Sequence, residues 1–396
     1  MAEYSSSSSA ETVAANSDLL IEILIRLPIR SLRIFKPVSK HWLSIITGHF
    51  FALLRIPDST TVFGLFLHPH STNPFPELNF IPRINTIHDP HPRFTDLAFF
   101  PGLRAHIRII NVCHGLLLCC FGHNHDDNPK PNYFILNPTT KQFKILPRCH
   151  ISNLICLTLA FDPSKSPHYK IVCVRYTDFV PCYPAGPHHR IMMYSSESGS
   201  WKASGEPLAA KYKTQYDAGV YWNGAVNWFN SWGIGDSVYY NVHDERLGNI
   251  PLPPIPEGKD WRNQEFRHYG ESRGHLHLIE AYDGTHRVDV YELERDYSRW
   301  FSKFSIDLDA VGVRRDNPFG ILSVARMERD EESLLVLHVP GKILRCTIFG
   351  DGTLNKICDL AIPSRLHSGG CINPIESRLK YSWCRSFQYI ESLFGV

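Results

Sequence analysis

Strand–turn–strand units recur along most of this chain, and they constrain its fold more than any other feature. Apolar residues run into Asn137-Pro138-Thr139-Thr140, a sequence that favours a type I turn, and then alternate with polar residues, which predicts a β-hairpin. The same pattern predicts three more hairpins: Met192–Trp201, Val238–Ile250 and Val288–Phe304.

Glycines followed by apolar residues mark strand starts at Gly115, Gly224, Gly274 and, less clearly, Gly320. They are 109, 50 and 46 residues apart, and the first interval fits two units because it contains the strand-like sequence FDPSKSPHYKIVCVRY. Repeats of about 45–55 residues made only of strands are typical of propeller blades. Two-sheet sandwiches have no such period. The pattern therefore predicts a mainly β, propeller-like domain, and we expect six to seven blades.

Residues 17–47 have the periodicity of helices instead. The first predicted helix ends at Pro28, and Ser17 or Asp18 can cap its start. Its apolar residues follow the spacing of one helix face: Leu20, Ile23, Leu24 and Leu27.

Two further short helices are predicted next. One contains Leu32 and Phe35 and ends at Pro37, and the other begins after Ser39 and ends at Gly48. A unit of this size rarely stabilises itself without a metal, disulfides or a partner, and it contains no cysteine. Its remaining apolar surface therefore predicts docking, either onto the rest of the chain or onto another protein.

The sequences DLLIEILIRLP, IRSL and VSKHWLSII together resemble the F-box, in the form common in plant proteins. In that family the motif binds a Skp-type adaptor, which attaches the protein to a cullin-based ubiquitin ligase. The family usually has Leu-Pro just before the first helix, where this chain has Ala15 and Asn16. The resemblance implies an adaptor-binding surface drawn from Leu19, Leu20, Ile23, Leu24, Leu27, Pro28, Leu32, Phe35, Val38 and Trp42.

The strand-rich part resembles the F-box-associated domain of plant F-box proteins, which implies a kelch-like β-propeller that binds a protein substrate. The similar sequences are CHGLLLC, FILNPTTKQFKILP, FDPSKSPHYKIVCV, GVYWNGAVNWF, RGHLHLIEAYD, VDVYELERDYSRWFSKFSID and YIESLFG. We expect a multidomain α+β protein with a small three-helix F-box before the propeller. The expected parts are a disordered tail (1–15), the F-box (16–56), a Pro/His-rich connection with the first strands (57–100) and the propeller-like domain (101–396).

Charge and apolar content limit the classes of partner. With 41 Lys and Arg against 39 Asp and Glu, the chain lacks the strongly basic character typical of nucleic-acid-binding proteins. No apolar run approaches about 18 residues, so we expect no membrane span. The N-terminal sequence is unlike a secretory signal, and the eleven cysteines lack the spacings of zinc sites. We therefore expect reduced thiols and a location in the cytoplasm or nucleus.

The helical segment is basic, since Lys and Arg outnumber its two acidic residues. This charge suits an acidic partner. A basic amphipathic helix can alternatively lie on a membrane, but two prolines interrupt these helices, which favours the protein partner. The basic residues are Arg26, Arg30, Arg33, Lys36 and Lys40.

Motifs that would indicate catalysis are absent from the sequence. It has no Gly-x-Ser-x-Gly elbow, no His-Glu-x-x-His and no phosphate-binding glycine loop, so we expect no cofactor and no metal. One alternative is a metal site at His123 and His125. A propeller hydrolase is another, and it would need two carboxylates across a central cleft, with Asp244, Glu280 and Asp289 as candidates.

The tryptophans divide by the elements that hold them. Trp201 and Trp300 follow hairpin turns and are predicted to anchor the core, whereas Trp232 lies in the loop-like sequence NSWGIGDS and is the candidate for a substrate contact. Together these features predict a non-catalytic specificity subunit of a ubiquitin ligase, with an unidentified protein substrate. An adaptor-bound scaffold without a role in degradation and a propeller hydrolase stay open as alternatives.

Overall fold

Helices occupy the first part of the chain, and antiparallel sheets make up the rest. The computed structural model describes residues 9–55, 62, 64–69, 78–82, 107–121, 131–148, 154–176, 188–209, 216, 219–229, 237–255, 257–258, 264–282, 286–313, 318–348, 354–360, 379 and 381–396.

The helical module, as residues 9–55 are called below, contains two helices more than the sequence predicts. The predicted three are α2–α4. The added α1 has the sequence SAETVAA, in which alanines favour a helix, so residues 9–15 are helical where a disordered tail is expected. The added α5 starts directly after Gly48. The bounds are α1 (Ser9–Ala15), α2 (Ser17–Leu24), α3 (Ile29–Phe35), α4 (Lys40–Thr47) and α5 (His49–Leu54).

The start of α2 is capped by Asn16, one residue before the predicted Ser17 or Asp18. The Asn16 side-chain oxygen accepts hydrogen bonds from the backbone N–H groups of Asp18 at 3.0 Å and Leu19 at 3.1 Å. All three neighbouring residues are good capping types. Only Asn16 has the extended backbone that a cap requires, with φ −87° and ψ 114°.

Two other side chains define the ends of the module's helices. Ser39 caps α4 as predicted, because its hydroxyl accepts from the N–H of Trp42 at 3.1 Å. Arg55 is buried, and its guanidinium donates to the carbonyls of Ile25 and Leu27, both at 2.7 Å. A cation at the carboxyl end of a helix satisfies free carbonyls and complements the helix dipole. Arg55 thereby fixes the end of α5 to the end of α2.

The strands form six antiparallel sheets in the described residues, each of them one propeller blade. Blade 1 consists of β1 (Gly64–Pro69), β2 (Asn79–Pro82) and β23 (Tyr381–Tyr389), and blade 2 of β3 (Ile107–Cys113), β4 (Leu116–Phe121), β5 (Asn132–Asn137) and β6 (Gln142–Ile145). Blade 3 consists of β7 (Leu154–Ala160), β8 (Lys170–Tyr176), β9 (His188–Ser195) and β10 (Ser200–Ala209), and blade 4 of β11 (Val220–Trp222), β12 (Ala225–Trp228), β13 (Ser237–Asn241) and β14 (Arg246–Ile250). Blade 5 consists of β15 (Gln264–Ser272), β16 (His275–Tyr282), β17 (Arg287–Leu293) and β18 (Trp300–Asp307), and blade 6 of β19 (Gly320–Ala325), β20 (Leu334–Val339), β21 (Lys342–Thr347) and β22 (Leu354–Asp359).

The ring closes through the first and last strands. β23 pairs antiparallel with β1, and Gly64 lies opposite Tyr389. β23 also lies beside β19 of blade 6 and β3 of blade 2, so blade 1 completes the circle. The predicted propeller is therefore confirmed with six blades, and β1 and β2 place its start within the region 57–100.

Three glycine turns explain the sequence repeat. Each turn joins the first and second strands of a blade, and both of its residues have positive φ, as a type I′ hairpin turn requires. The turns belong to blades 2, 4 and 5, so the interval of 109 residues does span two blades. Gly320 is different, because it is the first residue of β19. The turn residues are His114-Gly115, Asn223-Gly224 and Arg273-Gly274.

Successive blades are joined by the same tryptophan hydrogen bond at two places. The indole N–H of Trp201 on β10 donates to the carbonyl of Pro147 at 3.1 Å, and that of Trp300 on β18 donates to Pro251 at 2.9 Å. In each case the acceptor follows the fourth strand of the preceding blade. Trp300 is buried and Trp201 half-buried, so both anchor blade contacts as predicted.

Seven cysteine side chains described by the structure are free, and six of them are buried. Within the same ranges, none of the helices combines the length and apolarity needed to cross a bilayer.

The tight turn at Gly115 should be far less tolerant of a side chain than the similar turn at Gly224. A Cβ at Gly115 would overlap the Cβ of Ser392 and lie 2.6 Å from the carbonyl of Ile390, whereas at Gly224 the nearest atom is the Lys165 amine at 3.9 Å. Gly224→Ala should cost only the backbone strain, about 1 kcal/mol. Gly115→Ala should cost roughly 1–3 kcal/mol more. Urea denaturation of both variants measures this, and equal losses would contradict it.

Two buried histidines in blade 5 should make the protein less stable at acid pH. Burial lowers the pKa of His268 on β15 and of His277 on β16 to about 3. For His277, the Glu292 carboxylate opposes this shift and Arg326 adds to it. Histidine in an unfolded chain has a pKa of about 6.5. Protons below that pH therefore bind the unfolded chain first, and stability is full above about pH 6.5 and is lost as pH falls toward 3.

His277→Gln should flatten this pH dependence. Between pH 7 and pH 5 each buried histidine lowers the free energy of unfolding by about 2 kcal/mol. The variant has one buried histidine fewer, so its free energy of unfolding should fall less over this range. His243→Gln is the matched control, because the side chain of His243 is 95% exposed. Urea midpoints measured from pH 5 to 8 test the prediction, and an unchanged slope for His277→Gln would refute it.

Candidate functional site: the outer apolar face of the helical module

Helix α2 carries two apolar stripes, of which one is buried and the other exposed. Leu20 and Leu24 are 1% and 0% exposed, whereas Leu19 and Ile23 are 46% and 47% exposed. Residues four apart lie on the same side of a helix, so each pair forms its own stripe. The single apolar face predicted from Leu20 to Leu27 is thus divided between the interior and the surface.

The inner stripe belongs to a core that the module shares with the propeller. Leu20 and Leu24 belong to one continuous apolar core with Leu116 of β4 and with Leu393 and Phe394, which follow β23. The module also contributes Leu32, Ile46, Phe51 and Ala52 to this core. The rest of the chain therefore covers part of the module's surplus apolar surface. This is one of the two kinds of docking that the sequence predicts, the other being docking onto another protein.

The outer stripe continues over the other helices of the module. The rings of Phe35 and Trp42 are half-buried and meet edge to face, with centroids 5.6 Å apart. The helices of the module also carry large apolar side chains that are more than 40% exposed: Leu19, Ile23, Ile34, Val38, Leu43 and Phe50. We call this set, with Phe35 and Trp42, the outer apolar face.

The structure divides the ten residues implied by the F-box resemblance into three groups. Those free to touch a partner are Leu19, Ile23, Pro28 and Val38, which are exposed. Leu27, Phe35 and Trp42 are half-buried, and Leu20, Leu24 and Leu32 are buried in the core. The sequence analysis missed Ile34, Leu43 and Phe50. The sequence feature that could have identified them is an apolar residue on the side of a helix that faces away from the core.

Basic side chains surround this face. Arg26 is exposed and pairs with Glu22 at 3.2 Å, one helical turn away, which is a weak surface ion pair. Arg33 and Lys40 are also exposed. Partial burial and the neighbouring Arg33 lower the pKa of Lys36, so an acidic group from a partner would stabilise its charge. A partner surface that complements the outer apolar face would therefore be apolar at its centre and acidic at its rim.

The departure from Leu-Pro at Ala15 and Asn16 has a structural role of its own. Ala15 ends α1 and Asn16 caps α2, and both are exposed. The backbone N–H of Asn16 donates to the carbonyls of Thr12 and Val13, both at 3.2 Å. Proline has no N–H and could not make these bonds. The pair at 15–16 thus couples α1 to α2.

The centre of the propeller holds a cavity of about 160 Å³ between the inner strands. Glu271 is the carboxylate among its described lining residues, and it accepts a hydrogen bond from the Gly274 N–H at 2.6 Å. Burial raises its pKa. Glu280 and Asp289 lie opposite each other on β16 and β17, outside this lining, and Asp244 lies in an exposed turn. The described residues do not bring two candidate carboxylates across the cavity.

The candidate metal and substrate residues of the sequence analysis lie elsewhere. His123, His125 and Trp232 fall outside the described residues. Among the side chains that the structure does describe, no three of His, Cys, Asp or Glu lie close enough together to hold a metal ion.

Known proteins match both parts of the chain. The F-box domain model matches residues 16–52, and the model of the F-box associated beta propeller domain matches residues 78–306. F-box protein At5g07610 of Arabidopsis thaliana is 31% identical over 421 residues, which cover 99% of this chain and 94% of that protein.

Two further Arabidopsis thaliana proteins match less closely. F-box protein At4g19940 is 24% identical over 339 residues, covering 81% of this chain and 78% of that protein. Putative F-box protein At2g16220 is 25% identical, covering 66% and 60%. The two matched ranges fall on the helical module and on β2 with blades 2 to 5. With the similarity to At5g07610 over nearly the whole chain, they show that the chain belongs to the F-box proteins that carry an F-box associated β-propeller domain.

Proposed function

We propose that this protein is the substrate-recognition subunit of a Skp–cullin–F-box ubiquitin ligase. The observation that carries the proposal is the outer apolar face, which no other part of the described chain covers. Isolated apolar side chains are common on protein surfaces, but six large exposed ones on 47 residues of helix and turn are typical of an interface. The family to which the chain belongs supplies the matching partner, a Skp-type adaptor.

The outer apolar face has the composition of a binding surface. Its half-buried pair Phe35 and Trp42 supplies the aromatic centre that interfaces favour, with aliphatic residues around it. The basic rim of Arg26, Arg33 and Lys40 suits an acidic adaptor and would speed their association. The adaptor in turn would connect the protein to a cullin.

The propeller would hold the substrate. Leu116, the first residue of β4 after the Gly115 turn, belongs to the core shared with the module, so β4 runs from the end of the propeller nearest the module toward the opposite end. That opposite end is the proposed substrate side. Trp232 stays a candidate substrate contact from its sequence. Catalysis would consist of proximity, since a bound substrate lysine is held within reach of the ubiquitin carrier. We place this activity in the cytoplasm or nucleus.

Charged substitutions on the outer apolar face should abolish adaptor binding without unfolding the module. Ile23→Asp and Val38→Asp remove side chains that are 47% and 57% exposed, and each should weaken binding by about tenfold or more. Leu247→Asp is the matched control, since Leu247 on β14 is 41% exposed but lies on the propeller. Leu24→Asp should instead unfold the module, because Leu24 is fully buried.

Co-purification and calorimetry with a plant Skp-type adaptor measure these effects, and circular dichroism checks folding. If the wild-type chain binds no adaptor, the proposed function is wrong. If adaptor binding is intact but the half-lives of proteins captured by the propeller do not lengthen when the gene is deleted, the protein is an adaptor-bound scaffold rather than a ligase subunit.

A further inference from the structure

The segment that follows β23, residues 390–396, connects three parts of the molecule. It continues from the strand that closes the ring, crosses the β5–β6 turn of blade 2, and ends against the helical module. We call it the closing segment. Ser392, Leu393 and Phe394 are all buried, which is unusual for residues outside regular secondary structure.

Blade 2 holds the closing segment through its β5–β6 turn. The amide nitrogen of Asn137 donates to the carbonyls of Ser392 at 3.0 Å and Phe394 at 2.8 Å. The N–H of Ser392 donates to the Thr139 hydroxyl at 3.1 Å, and that hydroxyl also bonds the phenol of Tyr389 at 2.6 Å. Asn137 is fully buried, so these bonds are shielded from water and hold the backbone of the segment in place.

Phe394 joins this fixed backbone to the helical module. Its ring is 5% exposed and lies between two others, 5.5 Å from Phe161 of blade 3 and 5.9 Å from His49 of α5. Leu393 and Phe394 belong to the same apolar core as Leu20 and Leu24 of α2. The module and the closing segment therefore contribute to one apolar core, and the printed ring contact between them is that of Phe394 with His49.

An open cleft lies where the module meets the propeller. It is lined by Phe394 together with Ala52 and His49 of the module and Tyr169 of blade 3. Phe394 is therefore one of the large side chains at which the two parts meet, and its ring contacts lie on both of them.

We propose that the closing segment fixes the orientation of the helical module on the propeller. The outer apolar face and the substrate side then belong to one rigid body, and the module is held by Phe394 as well as by the chain between α5 and β1. The consequence for substrate positioning rests on the proposed function, but the coupling itself does not. Phe394 is a positioning residue, which acts through the inner stripe.

Hydrogen exchange of the full-length chain tests the coupling without any adaptor. Phe394→Ala should raise the exchange rates of α4 and α5 amides by about tenfold or more while the blades keep theirs. Phe304→Ala is the matched control, because Phe304 is also 5% exposed but lies in the core of blades 5 and 6. Phe394→Leu should largely restore protection, since it refills the same space with an apolar side chain.

A second variant approaches the interface from the module. Ala52→Glu places a charge against Phe394 without altering the closing segment, and it should release the module while the thermal unfolding of the propeller is unchanged. Small-angle scattering should then show a larger maximum dimension for both variants. If α4 and α5 exchange as in the wild type in both variants, the proposal is wrong. Adaptor binding is measured separately, so its absence would overturn the proposed function and not this coupling.

Discussion

The pairing of β1 with β23 is the contact on which the remaining structure depends. A blade cannot bury both of its faces alone, so every blade needs a neighbour on each side, and a ring meets that need only when it is closed. The pairing is reinforced by aromatic rings, since Phe66 of β1 lies 5.3 Å from Tyr389 of β23 and 4.7 Å from Phe80 of β2. Closure also removes the free sheet edges that promote aggregation.

Burial between neighbours accounts for the composition of the strands. β4 and β20 are buried along almost their whole length, so their sequences LLLCCF and LLVLHV are continuous apolar runs. The fourth strands β6 and β22 contain no fully buried residue, and half of their positions are polar. Only strands with one covered face alternate. The covered strands β4 and β20 are therefore more apolar than these fourth strands.

Local chemistry explains which sequence expectations hold. The glycine repeat identifies three blades because a type I′ turn has a strict local requirement for positive φ, while Gly320 matches the apolar pattern without any such turn. The cap of α4 is recognised because Ser39 stands alone, whereas three capping residues in succession precede α2. Alanines at positions 10, 14 and 15 favour the helix α1, but helix propensity alone is a weak predictor in so short a segment.

The division of α2 into inner and outer stripes could not be found locally. Periodicity shows which residues are apolar, but the core to which Leu20 and Leu24 belong also includes Leu393 and Phe394, at the far end of the sequence. The same long separation holds for Asn137, whose turn is obvious from NPTT but whose bonds to the closing segment are not. Contacts between residues hundreds of positions apart leave no trace in a local pattern.

That separation also sets an order of events during synthesis. The helical module leaves the ribosome first, yet Leu393 and Phe394, which share its core, are among the last of this sequence to be made. Domains usually fold as they emerge, but this shared core is complete only after the six blades have been made. A chain halted before Leu393 would leave the core without these two side chains, and the apolar surface exposed there would be open to the chaperones that bind such surfaces.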